Sequence, residues 1–377
     1  MRFRHCIMVA IWCMAGRSLP AIPYCAEIPY RLIGGKMTVD VVLNGKAGHF
    51  IFDTGAPVCL SHTFAQGLDL PLLGSVPMVD SNGRTIQSDV VLVGSLAAGG
   101  VTFAQPQALI MEAGNPVEQF GVDGVVGYTL FADKVVQIDS RRQMVSIADD
   151  IARFDVDTTR SLPLLTSSLA PMFAVELNGC ADTVMLDTGA GGFYDLSERT
   201  YSRLQDSDAW TLLSRGRGSL SLGAGGLEAA SLKYRVCIPR FTVGEGCFTR
   251  VVAKTTSGTC SRLGAAFLAT GLVTIDYPRQ RIYYTPYDDI RTDRYMPEWN
   301  VVITVADGEL KAGFVWESMW DELDGGEKIV EINGRRFDKV DAWTAMTTNL
   351  AGLSGDRAEI VVIDRSGKER KLSIFRE

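Results

Sequence analysis

VVLNGKAGHFIFDTGA (residues 41–56) and VELNGCADTVMLDTGA (residues 175–190) are two versions of one segment. Asn44-Gly45 aligns with Asn178-Gly179, and Asp53-Thr54-Gly55-Ala56 aligns with Asp187-Thr188-Gly189-Ala190. An Asn-Gly pair between apolar runs is a strong hairpin signal, so each copy reads as two antiparallel strands that deliver Asp-Thr-Gly to a turn. Further out, Val125-Val126-Gly127 corresponds to Arg262-Leu263-Gly264, VQID at 136–139 to VTID at 273–276, and Arg142-Gln143 to Arg279-Gln280. Residues 28–150 and 160–287 are therefore two copies of one β-rich unit, and the charged, Thr-rich stretch 149–160 reads as their linker. Ser61 and Ser197 each follow a strand and read as helix N-caps.

Composition narrows the chemistry. A net charge of −7 with no long Lys/Arg run argues against a nucleic-acid partner. Only His5, His49 and His62 occur, so there is no HExxH helix and no spaced His cluster; no metal or cofactor is expected. There is no GxSxG elbow either, which leaves carboxylates as the candidates for hydrolysis.

Each Asp-Thr-Gly follows three apolar residues, 50–52 in one copy and 184–186 in the other. Apolar strands bury the base of such a loop, Gly permits the turn, and Thr can both donate and accept hydrogen bonds to fix it. Two loops facing across a pseudo-twofold axis would bring Asp53 and Asp187 together. Like charges in contact cannot both ionise easily, so the pair would share a proton and titrate as a unit. One carboxylate can then take a proton from water while the other polarises a carbonyl.

These residues resemble aspartic proteases of the pepsin and retropepsin type, and look most like exported bacterial proteases with two retropepsin-like lobes in one chain. The resemblance spans about residues 28–287. It implies an all-β protein of two pseudo-twofold-related acid-protease β-barrel lobes, acting as a single-chain pseudo-dimer, with Asp53 and Asp187 catalytic. It further implies that Thr54, Gly55, Thr188 and Gly189 support the loops. Residues 79–87 and 219–227 would be flaps, with Asn82, Gly83, Gly223 and Gly225 facing a peptide or protein substrate. Arg262 departs from the pattern, where an apolar residue is usual; it either snorkels to solvent or reaches a carboxylate. Ala56 and Ala190 lack the hydroxyl found there in many pepsin-like members, which implies higher carboxyl pKa values and activity at mildly acidic to near-neutral pH.

Residues 290–377 depart from the repeat. GEKIVEINGRRF at 326–337, a helix from Asp341 to about Leu353 and a final hairpin across Ser366-Gly367 are similar to a bacterial-type PDZ domain, small and β-rich with one or two helices. This implies capture of a peptide or chain terminus, with Ala312-Gly313-Phe314-Val315 as the groove strand; a spacer packed on the lobes is the other reading. Trp316 and Trp320 read as core.

At the N-terminus, Arg2 and Arg4 precede a short apolar stretch from Cys6 to Ala15, which reads as a signal peptide over residues 1–26. An exported, periplasmic or secreted protein is expected, without lipid anchoring at Cys25. In an oxidising compartment Cys237 and Cys247 would close a disulfide across a hairpin, and Cys59 would stay a buried thiol. The expected function is a cell-envelope aspartic endopeptidase; the alternative is a catalytically inactive envelope scaffold that binds peptides in the same cleft.

Overall fold

The computed structural model describes residues 24–166, 168–341, 344–345 and 353–377. Both Asn-Gly hairpins form. Asn44 and Gly45 have φ of 48° and 82°, and Asn178 and Gly179 have 47° and 86°, the paired left-handed geometry of a tight hairpin turn. They join Lys36–Leu43 to Lys46–Asp53 and Met172–Leu177 to Cys180–Leu186. In the first of these strands Met37, Val39, Val41 and Leu43 are buried while Asp40 and Val42 face solvent.

The protein is all-β, and a six-stranded sheet joins the lobes. Its order is Cys25–Pro29, Met144–Ala148, Val135–Asp139, Gly271–Asp276, Arg281–Pro286, Ser161–Pro163. The central two strands come from different lobes and pair Val136 with Ile275 and Ile138 with Val273. A pseudo-twofold axis therefore passes by Gln137 and Thr274, whose side chains share a 2.9 Å hydrogen bond. One hydrophobic core, including Phe50, Phe52, Phe131, Phe173, Leu186 and Phe267, runs through both lobes. Ser61 and Ser197 cap their helices as expected, accepting from Phe64 N and Thr200 N.

Three expectations are corrected. The strands of the first lobe start ahead of residue 28: Cys25 and Ala26, expected to belong to the signal peptide, ladder onto Ala148 and Ile147. The apolar stretch from Cys6 to Ala15, expected to be a signal peptide, lies outside the described residues. Cys237 and Cys247 do not pair, because Cys237 stands opposite Val252 and Cys247 opposite Thr242. Five strand positions between them span roughly 17 Å at strand rise, well beyond disulfide reach, and both are free thiols.

The third correction concerns the C-terminal unit, whose core of Val301, Leu310, Ala312, Val315, Ile329, Ile360 and Ile374 is separate. The strand Glu309–Trp316 is not an open groove. One edge pairs with Val301–Ala306; the other pairs with Lys328–Ile332 and then with Thr211–Gly218 of the second lobe. Its hydrogen-bonding groups are used inside the protein, so a peptide cannot add there. Gly216 has Trp316 opposite, and a Cβ on Gly216 would lie 2.1 Å from the Phe314 ring. Trp316 is fully buried, as expected, and Trp320 half-buried. Of the helix expected over 341–353, Thr344 and Ala345 are helical, the end positions Asp341 and Leu353 are not, and the rest lies outside the described residues. Among the described residues no helix is long and apolar enough to cross a membrane.

Candidate active site

Each Asp-Thr-Gly loop is closed by a strand running parallel to the one that delivers it. Lys46–Asp53 pairs with Gly124–Gly127, which places Gly127 beside Asp53; Cys180–Leu186 pairs likewise with Ser261–Leu263. The downstream glycine of each repeat passes against the back of the loop. A Cβ on Gly127 would lie 1.9 Å from the Ala56 carbonyl oxygen, and one on Gly264 would lie 2.4 Å from that of Gly192. No side chain fits in either place.

Thr54 and Thr188 interlock at the lobe interface, both fully buried. Thr54 Oγ1 donates to Leu186 O at 2.7 Å and accepts from Thr188 N at 3.2 Å. Thr188 Oγ1 donates to Phe52 O at 2.7 Å and accepts from Thr54 N at 3.0 Å. Four bonds across the axis thus fix the two loops in register. Thr54→Val would strand the Leu186 carbonyl and the Thr188 N–H without water. We expect a loss of about 2–4 kcal/mol in urea unfolding; a change below about 0.5 kcal/mol would show that the interlock contributes little.

The interlock brings the carboxyl groups together, each against the opposite loop. A Cβ on Gly55 would lie 2.8 Å from Asp187 Cγ, and one on Gly189 would lie 2.2 Å from Asp53 Oδ2. Gly55 N donates to Asp53 Oδ1 at 2.8 Å and Ala190 N to Asp187 Oδ1 at 3.0 Å. The Asp53 carboxyl is pushed up to about 7, first by loss of hydration among the surrounding protein, then by the Asp187 charge; the Gly55 N–H and Lys36 pull the other way. Burial and the partner carboxylate lead the upward shift of Asp53; the missing hydroxyl to which the sequence pointed is not among its causes.

Two cations adjoin the pair. Arg262 does not reach solvent: it is 8% exposed, donates from Nη2 to Asp195 Oδ2 at 3.0 Å, and places Nη1 3.6 Å from Asp187 Oδ2. Lys36, in the first lobe, donates to the Gly189 carbonyl of the second lobe's loop and acts on Asp53 through space. Among the described residues no group of three His, Cys, Asp or Glu is disposed to hold a metal ion.

The two expected flaps meet. The first is the tip of the hairpin Leu72–Val79 and Thr85–Leu92, and the second is the small hairpin Leu222–Gly223 and Gly226–Leu227. Val76 and Met78 pack the first hairpin on the cluster that includes Ile51 and Ala56, beside its own loop. Asp80 Oδ1 accepts from Asn82 N and Arg84 N, both at 2.9 Å, which shapes the tip around Gly83. Asn82 Nδ2 then reaches Gly226 O at 3.1 Å, Arg84 Nη1 reaches Gly225 O at 2.6 Å, and Gly225 N donates to Asp80 Oδ2 at 3.0 Å. Gly223 lies close as well: its Cβ would stand 2.6 Å from Asp80 Oδ2. The tips are thus latched across the lobes.

Sequence reading missed Lys36, Asp80 and Arg84, and the buried Lys233. Lys233 ion-pairs with Glu198 at 2.8 Å and with Glu228 at 3.2 Å. Glu228 in turn accepts from Leu220 N and Ser221 N, which holds the second hairpin's approach strand. The Asp-Ser-Asn-Gly tip carried a local turn signal, whereas the contacts of Lys36 and Lys233 are long-range and leave no mark at fixed spacing. No curated protein matches the chain. Residues 39–130, which contain the first Asp-Thr-Gly loop, the first hairpin tip and Gly127, match the aspartyl protease family model.

Proposed function

We propose that the chain is an exported aspartic endopeptidase in which Asp53 and Asp187 activate a water against a peptide bond. The observation that carries this reading is the threonine interlock, which sets each carboxyl group against the glycine of the opposite loop. The aspartyl protease match over residues 39–130 supports it for the first lobe. Export rests on Arg2, Arg4 and the apolar stretch after them.

In this mechanism the pair holds one proton. The ionised carboxylate accepts a proton from the water as its oxygen bonds to the scissile carbonyl carbon, and the protonated carboxyl hydrogen-bonds the carbonyl oxygen. Collapse of the tetrahedral intermediate breaks the C–N bond as a proton passes from the carboxyl pair to the leaving nitrogen. No acyl-enzyme forms. An extended peptide would lie between the lobes under the two hairpins, so entry requires the Asp80–Gly225 and Arg84–Gly225 contacts to part.

The test is cleavage of a peptide library across pH 3–9. Loss of the shared proton switches the pair off, and Asp53 holds its proton up to about 7. The rate should therefore be high in mildly acidic solution and fall as pH rises through about 7. No cleavage at any pH, or a sharp optimum near pH 2, would reject the reading.

A further inference from the structure

The two carboxyl groups are related by the pseudo-twofold axis, but their surroundings are not. Two residues before the closing glycine, the first lobe has Val125 and the second has Arg262. Val125 pairs across to Cys59, and both are buried in an apolar cluster with Ile51, Val90 and Leu109. Arg262 pairs across to Asp195, in the corresponding strand position. An apolar pair in one lobe is thus a buried ion pair in the other. Burying a guanidinium is costly unless partners compensate it. Here Asp195 and Asp187 both do, while its Nε–H has no protein partner.

We propose that Arg262 is a positioning residue that fixes the negative charge of the pair on Asp187 and the proton on Asp53, with Asp195 aiming the guanidinium. Asp187 is then the base that takes the proton from water, and Asp53 is the acid that faces the scissile carbonyl oxygen. This rests on the endopeptidase reading and deepens it by giving each aspartate one role. The charged and titratable groups around the pair allow that division. Asp53 faces Asp187, Lys36, the Cys59 thiol and Tyr128; Asp187 faces Asp53, Arg262 and the Cys260 thiol. Both thiols and the phenol are shifted upward by burial and stay neutral in the working range. Arg262 and Lys36 are therefore the fixed positive charges, one on each side. Lys36 is committed to the Gly189 carbonyl and acts on Asp53, so it bears on the alkaline limb of activity, whereas Arg262 bears on the acid limb.

The experiment replaces the ion pair by the first lobe's own solution, Arg262→Val with Asp195→Cys, and compares Arg262→Lys as rescue. The pH profile of kcat/KM is measured for each full-length protein. In parallel, carbon-13 carboxyl titrations follow Asp53 and Asp187, assigned with the two Asn variants. Without the cation Asp187 takes up a proton more readily. Cleavage near pH 4 should fall three- to tenfold relative to wild type, tenfold being the most that a one-unit shift allows, cleavage near pH 6.5 should fall less than twofold, and Arg262→Lys should recover most of the acid-side loss. The Asp187 titration should move up by about one pH unit in the double variant. A uniform loss at all pH values, or an unmoved Asp187 titration in a folded protein, would overturn the assignment. If wild type cleaves nothing, the endopeptidase reading fails on its own, and the carboxyl titrations still decide where the charge sits. Should the double variant not fold, Arg262→Lys must keep the two aspartates titrating apart; convergence of the two would overturn it as well.

Discussion

Asp187→Asn should lower kcat/KM for peptide cleavage by about 10³- to 10⁴-fold, and Asp53→Asn should do the same, because general acid–base catalysis by a positioned carboxyl contributes on that order. The double variant should be no more than about tenfold worse than either single one, since the pair acts as a unit. A structural role for the same residues predicts a different pattern, and stability separates the two. Asp53 folds with its carboxyl held up to about 7, mainly by burial, while in the unfolded chain it ionises near 4. The folded state then binds more protons between these values, so this group makes stability fall as pH rises from about 4 to 7, with the full penalty present above 7. Asn carries no charge and escapes the penalty. Asp53→Asn is therefore expected to melt at the same or a higher temperature than wild type at pH 8 while losing its activity. Undiminished cleavage by either variant would reject the mechanism.

The fold was legible in the sequence where physics is local and duplicated. Two Asn-Gly turns fix two hairpins, and the repeat then implies a pseudo-twofold axis, since identical units pack most simply about one. The downstream glycines were legible for the same reason: they follow their Asp53 and Asp187 loops at similar spacings, 74 and 77 residues, and the 1.9 Å and 2.4 Å approaches at Gly127 and Gly264 say why no other residue fits. Arg262 stood out because it broke an apolar pattern, but where it pointed was not legible. A half-exposed strand position and a buried one look alike until its neighbour Asp195 is placed. The disulfide expectation failed on register: ten residues of hairpin look short, but Cys237 and Cys247 are five ladder positions apart. The groove strand failed because edge occupancy is a tertiary property. Nothing within 309–316 announces that Thr211–Gly218, about a hundred positions upstream, fills its edge.

That filled edge gives the C-terminal unit a role in the lobes, and Trp316 is where to test it. The strand Thr211–Gly218 leads directly into the second hairpin tip, and Ser219 N donates to Gly313 O of the C-terminal unit at 2.9 Å. The unit therefore holds the base of the second hairpin, the proposed flap of that lobe. Trp316 anchors the contact: it is fully buried, packs edge-on to Phe314 at 4.8 Å, and carries the Arg235 guanidinium 4.7 Å over its ring. Arg235 also reaches the chain's last residue, Glu377, at 2.6 Å. Trp316→Ala should cost about 3–5 kcal/mol and, at a temperature where the lobes remain folded, lower peptide cleavage together with the loss of the docked unit. Trp316→Phe should cost far less, because the indole Nε1–H is buried without a partner and an aromatic face remains under Arg235. Trp320→Ala is a second control, since that ring is half-buried and its ties are a hydrogen bond to Val315 O at 3.0 Å and Arg217 4.1 Å from its centre. Limited proteolysis reports docking and a peptide assay reports the flap. If Trp316→Ala frees the C-terminal unit to proteolysis while cleavage stays at the wild-type rate, the second flap stands without its brace, and the unit is a spacer.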